Sequence, residues 1–307
     1  MRFPKSLLAL PLLPALLACG GSSSHLIDSC PTTAAYSFTV ANYGTDTFTQ
    51  LLGVNDAGKI AGYHGTGADA THPNLGFTLT PPSLFQDENF TGAAQTQVIG
   101  INGKGDTVGF YVDSAGATHG FTTAGGAFTT VDKPGTSFNQ LLGVNDKGAA
   151  AGYFQDNNAA MTQHAFTVQG ATFTAVATPG VSAQATGINN GGDVSGFYVD
   201  SAGVNHGFFV PQGKAVVTVD FAGASLTQLL GVNNNGLAAG FYTDAGGKSH
   251  GFLYDSRSGK SSAAIDATGG VGATVVNGLN DLGEIVGYFA DKAGNTSGFI
   301  GTVTACK

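Results

Sequence analysis

The chain has 307 residues, of which 48 are glycine, 42% are hydrophobic and 10% are charged, and its formal net charge is −8. This glycine content disfavours a helical bundle, because glycine costs about 1 kcal/mol at an interior helical position. The low charge and ordinary hydrophobic share argue against a disordered acidic chain. No basic patch is present, which argues against a nucleic-acid partner.

Residues 1–18 are predicted to be a lipoprotein signal peptide. Arg2 and Lys5 precede an apolar run that ends at Leu17 and is too short to span a bilayer. The run continues into Leu16-Leu17-Ala18-Cys19, which resembles the lipobox of bacterial lipoproteins. That resemblance implies cleavage before Cys19 and attachment of lipid to its thiol. A plain signal peptide followed by a chance cysteine is the alternative.

Residues 19–35 are predicted to be the lipid anchor and a flexible tether, because Gly20-Gly21-Ser22-Ser23-Ser24 follows the lipobox. The expected partner of this segment is a membrane, bound through the lipid at Cys19. Glycine follows the cysteine, and the resemblance to Gram-negative lipoproteins implies an outer-membrane or cell-surface location if the source is Gram-negative. The protein is therefore expected to be exported.

Residues 36–307 contain one unit repeated six times. Each copy has Gly-[Val/Ile/Leu]-Asn, a glycine three residues later, and then glycine followed by an aromatic residue. The asparagines are 47, 43, 44, 44 and 47 residues apart: Asn55, Asn102, Asn145, Asn189, Asn233 and Asn280. A conserved spacing of this length indicates a repeat architecture.

Each unit predicts four short strands. In the third unit these are Gly120–Ala124, Ala127–Asp132, Gln140–Asn145 and Ala149–Phe154, separated by turn residues. A four-stranded repeat of about 45 residues is typical of a propeller blade. The sequence therefore predicts an all-β, six-bladed β-propeller. A β-solenoid is the alternative.

The two ends of the repeat region predict pairing between terminal strands. The first unit begins at its second strand, Tyr36–Ala41, and Gly298–Val303 supplies the missing strand from the C-terminus. Their pairing would close the ring. Cys30 and Cys306 flank these strands, so we expect a disulfide between them in an exported protein. Two unrelated free thiols are the alternative.

Four units contain the tripeptide His-[Gly/Ala]-Phe, at His119, His164, His206 and His250. The pattern resembles the HAF-repeat family of predicted extracellular bacterial proteins, and the resemblance runs from about Tyr36 to Phe299. It implies an extracytoplasmic repeat protein and no settled activity. Two units depart from the pattern, because His72 is displaced from Gly76-Phe77 and the last unit has Ser297.

Three of these histidines follow an aspartate by six residues: Asp113 and His119, Asp200 and His206, Asp244 and His250. A glycine-containing spacer predicts a hairpin with Asp and His facing each other. We interpret the pair as a cross-strand hydrogen bond. A metal site is the weaker alternative, because it needs at least three converging ligands. No metal and no cofactor are predicted.

Each unit also carries two adjacent aromatic positions. Tyr63, Phe110, Tyr153, Phe197, Phe241 and Tyr288 are expected to pack between blades. The residues that follow them point to the opposite face: Tyr111, Phe154, Tyr198, Tyr242 and Phe289. Some of this second set are expected to be exposed and to suit carbohydrate or protein binding.

The sequence lacks a nucleophile elbow, a phosphate-binding loop and a zinc-protease helix. Its clearest irregularity is Thr80–Gln95, which is predicted to lengthen a hairpin and to bind a ligand through Phe85, Asp87, Glu88 and Phe90. The predicted function is a monomeric, envelope-anchored binding or scaffolding propeller for a protein or glycan. A lyase or hydrolase acting on extracellular polymers and a purely structural lipoprotein are the alternatives.

Overall fold

The computed structural model describes Ile27 and residues 30–65 and 74–306. The predicted signal peptide, Cys19, most of the tether and His72 lie outside these residues. Within the described part of the chain, no helix is both long enough and apolar enough to cross a membrane.

The described residues form 24 strands, arranged as six antiparallel blades of four. The first strand, β1 (Ala34–Val40), belongs to the last blade. Blade 1 contains β2 (Phe48–Val54), β3 (Ile60–Gly65), β4 (Leu75–Thr80) and β5 (Leu84–Asp87). Blade 2 contains β6 (Gln95–Ile101), β7 (Thr107–Val112), β8 (Thr118–Ala124) and β9 (Ala127–Val131). Blade 3 contains β10 (Asn139–Val144), β11 (Ala150–Gln155), β12 (Gln163–Gln169) and β13 (Thr172–Ala175).

The remaining blades repeat this order. Blade 4 contains β14 (Ser182–Ile188), β15 (Val194–Val199), β16 (Asn205–Val210) and β17 (Val217–Val219). Blade 5 contains β18 (Leu226–Val232), β19 (Leu237–Thr243), β20 (Ser249–Asp255) and β21 (Lys260–Ser261). Blade 6 contains β22 (Thr274–Leu279), β23 (Ile285–Ala290) and β24 (Thr296–Cys306), and its outer strand is β1. A single parallel pair, Phe48 with Thr296, joins blade 6 to blade 1.

The blade boundaries correct the predicted phase of the repeat. The four strands predicted for the third unit are observed with shifts of one or two residues at their ends, but two belong to blade 2 and two to blade 3. The last blade therefore takes three strands from the C-terminus and one from the N-terminus. Residues 132–138 are the reason, because they carry the chain to the next inner strand instead of turning it back as a hairpin.

The turns follow the glycine pattern of the sequence. Gly125 and Gly126 have φ of 57° and 84°, as a tight hairpin requires, and Gly148 has φ of 77° in the turn after Asn145. Within the blades, the turns between strands 1 and 2 and the turns between strands 3 and 4 lie on the same face of the propeller. We call this face the lower face. The upper face carries the strand 2 to 3 loops and the connections between blades.

Neighbouring blades are in contact through a small residue on strand 3 of one blade and a larger side chain on the inner strand of the next blade. A Cβ added to Gly251 would lie 2.4 Å from Cγ2 of Val276. The same contact recurs at Gly76 with Val98, Gly120 with Leu141, Gly207 with Leu229 and Gly298 with Leu51. At the remaining interface, Ala165 and Ala185 share one core cluster. Blade 3 has Ala165 at the strand 3 position where the other blades have glycine. The inner strand of blade 4, which packs against it, has Ala185 where the other inner strands have leucine or valine.

The phenylalanine of each repeated tripeptide is completely buried. Six such rings are 0–1% exposed: Phe77, Phe121, Phe166, Phe208, Phe252 and Phe299. Each lies beside the glycine of strand 2 on its own blade, where a Cβ on Gly62 would lie 2.6 Å from Cζ of Phe77. Packing therefore explains the glycine of the repeated tripeptide on strand 3 and the glycine that precedes the aromatic residue on strand 2.

The repeated asparagines connect all six inner strands. Asn145 is buried, and its Oδ1 accepts hydrogen bonds from the N–H groups of Lys147 and Ala149, both at 3.0 Å. Its Nδ2 donates to the carbonyl oxygen of Asn189, in the next blade, at 3.0 Å. The same interblade bond is made by Asn55, Asn102, Asn189, Asn233 and Asn280, and Asn280 donates to Asn55. The first and last blades are therefore bonded as other neighbours are.

The terminal strands pair as predicted. β1 runs antiparallel to β24, and Ala34 lies opposite Cys306. The predicted disulfide between Cys30 and Cys306 is confirmed, with a sequence separation of 276 residues. Ile27 is buried in the core and contacts the site of Gly283, in a lower-face turn. Ile27 therefore lies at the lower face of the propeller.

Candidate functional site

A cavity of about 400 Å³, which we call the funnel, lies on the axis between the inner strands of the six blades. Its lining repeats with the blades, because each inner strand contributes the same positions. Along each inner strand the chain runs from the upper to the lower face, so residues of one register form one level of the funnel.

The mouth of the funnel is lined by amide and aromatic side chains. Gln184 lies opposite Phe197, and Gln228 lies opposite Phe241, on paired strands. Tyr288 completes the aromatic side of the mouth from blade 6. All five side chains are half-buried. Gln184 Nε2 donates to Gln163 Oε1 at 2.8 Å, and Gln228 Nε2 donates to Asn205 Oδ1 at 3.0 Å. Each amide therefore offers a ligand its carbonyl oxygen and its second N–H, beside aromatic faces.

The mouth is not six-fold symmetric. In blades 1 and 3 an aromatic side chain at the start of the inner strand packs on the equivalent ring. Phe48 lies 5.7 Å from Tyr63 and Phe138 lies 5.7 Å from Tyr153, between ring centroids. The accessible rings therefore belong to blades 4, 5 and 6.

The middle level is apolar. Leu52, Ile99, Leu142 and Leu230 line the funnel and are half-buried. The other two blades place polar residues at this level, but their donors are used. The hydroxyl of Thr186 bonds to the carbonyl oxygen of Leu229 at 2.9 Å.

Asn277 completes the middle level in the same way, since its Nδ2 donates to the carbonyl oxygen of Leu51 at 2.9 Å. Below this level a second apolar set leads to the lower exit: Val54, Ile101, Val144, Ile188, Val232 and Leu279. The lower exit is a small cavity of about 80 Å³ beside the asparagine ring.

The lower exit is surrounded by the residues that follow the repeated asparagines. Asp146 accepts from the Gly103 N–H at 2.7 Å, and Asp281 accepts from the Asn234 N–H at 2.7 Å. Burial, together with the charge of Asp281, raises the pKa of Asp56. These carboxylates serve to hold adjacent turns together.

The funnel itself is uncharged. Among its described lining residues there is no Asp, Glu, His, Cys, Lys or Arg, and Tyr288 is the one ionisable group. Burial raises the pKa of Tyr288, so its phenol is neutral near pH 7. The cavity can therefore offer apolar contact, aromatic faces and neutral hydrogen bonds.

The repeated histidines form a different arrangement at the upper face. His119 Nδ1 lies 3.0 Å from Asp132 Oδ2, and His119 Nε2 lies 3.4 Å from Asp113 Oδ2. The imidazole also stacks on Tyr111, with ring centroids 5.0 Å apart. We call this group an Asp–His–Asp clamp. The same clamp occurs at His206 with Asp200 and Asp220, and at His250 with Asp244 and Asp266.

The clamps join two segments of one blade. Asp113 lies in the strand 2 to 3 hairpin, whereas Asp132 begins the connection to the next blade. His164 is a partial case, with Nε2 3.1 Å from Asp156 and its ring stacked on Phe154. Sequence reasoning missed the second aspartate, although each follows a β-branched residue at a strand 4 position, as in Val131-Asp132.

The charge of the clamps shifts their pKa values. Partial burial acts to lower the pKa of His119, but Asp132 and Asp113 outweigh it and the pKa is raised. The pKa of His206 is raised in the same way, burial acting against its two aspartates. The pKa of Asp113 is lowered, first by the hydrogen bond from the Ala117 N–H and then by His119.

The clamp geometry does not converge on one point. The two ring nitrogens of an imidazole point in divergent directions, so the two carboxylates of a clamp lie at opposite edges of the ring. Among the described residues, no group of three His, Cys, Asp or Glu side chains is arranged to hold a metal ion.

Blade 1 replaces the clamp with an aromatic stack. His64 occupies the position of Tyr111, its ring lies 3.5 Å from that of Tyr43, and its Nδ1 lies 2.6 Å from Asp46 Oδ2. His64 is buried, and its Nε2 has no hydrogen-bond partner among the described residues.

Two of the predicted ligand-binding residues support this stack. The ring of Phe85 packs edge-on against Phe77 and Tyr43, at 5.0 and 5.1 Å between centroids. Asp87 accepts a hydrogen bond from the Tyr43 hydroxyl at 2.6 Å. Both side chains therefore hold blade 1 together.

The other two connect blade 1 to blade 2. Glu88 is hydrogen-bonded by the hydroxyl of Thr107, and burial raises its pKa. Phe90 stacks on Tyr111, with centroids 3.8 Å apart. Thr80–Gln95 forms the outer strand of blade 1 and an ordinary connection between blades, not the lengthened hairpin that was predicted. Ligand binding by these four residues stays a prediction.

The aromatic pairs also differ from expectation. The second set, expected to be partly exposed, is buried at Tyr111, Tyr198, Tyr242 and Phe289. The first set supplies the accessible rings of the funnel mouth. The glutamines of the mouth were missed altogether, although a Gln-x-x-Gly-x-Asn motif recurs in five units, at Gln50, Gln97, Gln140, Gln184 and Gln228.

No protein-family model matches this chain, and no curated protein sequence matches it. Solved structures share its fold. A fucose-recognising fungal lectin from Aleuria aurantia, a six-bladed propeller, is 11% identical, with a TM-score of 0.53 over 88% of this chain and 93% of the lectin. This chain is a six-bladed β-propeller.

Two other solved structures are similar in fold to this chain. A putative TolB from Agrobacterium tumefaciens is 12% identical, with a TM-score of 0.59 over 87% of this chain and 98% of that chain. A protein of unknown function from Dyadobacter fermentans is 11% identical, with a TM-score of 0.57 over 89% of this chain and 100% of that chain. At these identities the likeness establishes the fold, and the predicted propeller replaces the solenoid alternative.

Proposed function

We propose that this protein is an exported, lipid-anchored binding propeller that takes an uncharged carbohydrate group into its axial funnel. The observation that carries the proposal is the funnel mouth, where Gln184 and Gln228 lie beside Phe197, Phe241 and Tyr288. Amides satisfy hydroxyl groups as donors and acceptors, and aromatic faces receive the apolar face of a sugar ring. A few placed polar groups among apolar ones are typical of ligand pockets of this size.

Two further observations support a binding role. General acid–base catalysis needs a titratable group within reach of the reacting atom, and the described lining of the funnel holds only a neutral phenol. A propeller with the same fold recognises fucose. A lyase or hydrolase would need its acid and base elsewhere in the molecule.

The proposal includes a position relative to the membrane. β1 pairs with β24, and the disulfide at Cys30 holds the start of β1 at the lower face. Eleven positions (30 − 19) separate Cys19 from Cys30, a reach of at most about 40 Å. A lipid at Cys19 would therefore keep the lower face, where the tether is attached, within about 40 Å of the membrane.

The test is a binding experiment on a soluble form, Ser22–Lys307, which contains every strand of the propeller. Neutral sugars, including fucose, glucose, galactose and N-acetylglucosamine with their short oligomers, would be titrated by calorimetry and by thermal shift. A ligand at 100 times its Kd stabilises the fold by about 2.7 kcal/mol, which raises Tm by several degrees at this size.

A matched pair of variants localises the binding. Gln228→Ala removes an amide of the mouth, whereas Gln97→Ala changes the same repeat position in a blade whose glutamine does not line the funnel. We expect the first to weaken binding about tenfold, as the loss of one or two hydrogen bonds predicts, and the second to bind normally. Equal effects, or no binding by any sugar, would refute the proposed site.

A further inference from the structure

The funnel changes from polar to apolar along the axis. Its mouth has amides and aromatic rings, and its middle level has Leu52, Ile99, Leu142 and Leu230. Leu230 follows Gln228 by two residues and lies at the β-bulge between Leu229 and Gly231, so it is deeper by at most about 7 Å, the rise of two regular strand residues. A ligand held at the mouth therefore has an apolar chamber directly beneath it.

The apolar chamber is not needed for the packing of the blades. The interblade contacts use the alternate positions of the inner strands, such as Leu51, Leu141 and Leu229, which are fully buried. The axial leucines are half-buried and face the cavity. The two polar residues at this level, Thr186 and Asn277, spend their donors on backbone carbonyls. Both are buried, so the cavity surface at this level is supplied mainly by the four apolar side chains.

The glycines below the chamber keep it from extending as a wide channel. A Cβ on Gly278 would lie 2.4 Å from the carbonyl oxygen of Leu52, and one on Gly231 would lie 2.8 Å from that of Asn277. The inner strands therefore approach closely at this depth. Below the glycines, the second apolar set leads to a lower exit that is small and polar. An apolar group entering from the mouth therefore meets a narrower and more polar opening at the far end.

We propose that the ligand of the funnel is a neutral amphiphile, a sugar with an aliphatic chain of the alkyl glycoside or glycolipid class. The sugar occupies the mouth and the aliphatic chain enters the leucine level. This inference rests on the proposed function, since it takes the mouth as the sugar site. It adds that affinity increases with the length of the aliphatic chain.

The experiment is a homologous series of ligands on the Ser22–Lys307 protein. Methyl, butyl, hexyl and octyl glucosides and galactosides are titrated by calorimetry, each below its micelle concentration. Each buried methylene tightens Kd about fourfold, so hexyl should bind about 16-fold more tightly than butyl. Hexanol, which has no sugar, should bind more weakly than the hexyl glycoside.

Variants separate the two halves of the ligand. Leu142→Ser with Leu230→Ser should flatten the dependence on chain length and leave the Kd of the methyl glycoside unchanged, which also shows that the variant is folded. Leu84→Ser, which changes an exposed leucine on the outer strand β5, should keep the full dependence. Gln228→Ala should weaken every member of the series by the same factor.

Three outcomes would overturn the inference. If methyl and octyl glycosides bind equally, the sugar site stands and the apolar chamber is not used. If the chain-length dependence survives in the double leucine variant, the aliphatic chain binds elsewhere. If no glycoside binds, both this inference and the proposed function fail.

Discussion

The contact between Gly251 and Val276 predicts how strongly neighbouring blades are coupled. In Gly251→Ala the new methyl group would lie 2.4 Å from Cγ2 of Val276 and 3.1 Å from the carbonyl oxygen of Ile265. Val276 is completely buried and cannot move aside into solvent. Overpacking of this kind costs about 1–3 kcal/mol, and we expect a value near the upper end.

The partner change has its own cost. Val276→Ala removes two carbon atoms from a fully buried site, which costs about 2 kcal/mol from lost burial and the remaining cavity. If the sites were independent, the double variant would lose about 5 kcal/mol. The double variant, however, creates an Ala–Ala contact of the kind that Ala165 and Ala185 already make. We therefore expect it to lose only about 1–2 kcal/mol, a coupling of about 3 kcal/mol.

The assay is urea denaturation of the Ser22–Lys307 protein in a double-mutant cycle. The effect of Gly→Ala on the unfolded chain is the same in the single and double variants, so it cancels from the coupling. The converse cycle is the control: Ala185→Val should destabilise the protein, and Ala165→Gly should relieve that loss. A double variant of Gly251 and Val276 that loses the full sum would refute the proposed packing rule.

Three other predictions concern the ring and the clamps. Cys30→Ser should lower the free energy of unfolding by roughly 5–6 kcal/mol on the loop-entropy model, since the bridged cysteines are 276 residues apart, and a Tm that the reductant dithiothreitol does not lower in the native protein would contradict this. Asn145→Ala should cost about 2–4 kcal/mol in urea denaturation, because it leaves two turn N–H groups and the carbonyl oxygen of Asn189 without their partner; a loss under 1 kcal/mol would count against the asparagine ring. The pKa of His119 is raised in the folded protein, so its contribution to stability is complete below the unfolded pKa of about 6.5 and is lost as pH rises through the folded value. NMR titration of the His119 ring checks this, and Asp132→Asn should lower that pKa, whereas an unchanged pKa would mean that the clamp is not formed in solution.

Much of the fold could be predicted from short-range chemistry. Asn145 bonds to N–H groups two and four residues ahead, and Gly148 adopts a positive φ in the same turn. Interactions of such short range leave a signature in the sequence at every copy. Repetition then indicated the number of blades, and the flanking cysteines indicated that the terminal strands meet.

The site was harder to predict. The glutamines recur visibly, but their repetition does not distinguish Gln228, which lines the funnel, from Gln97, which does not. Whether a glutamine lines the funnel depends on which side chains of the neighbouring strands lie beside it at the mouth. In the same way, the aspartate six residues before His119 was recognised, whereas Asp132 comes from another strand of the sheet.

The sequence by itself determined the strands, their turns, the six-fold repeat and the pairing of Cys30 with Cys306, because these follow from local backbone geometry and from positions along the chain. Only the tertiary structure decided where one blade ends, which aromatic ring faces the axis and that the axis encloses a funnel. Those features depend on the distances between inner strands that come from different repeats. A glycine such as Gly278 sets that distance through the carbonyl oxygen of Leu52, a contact between residues 226 positions apart (278 − 52).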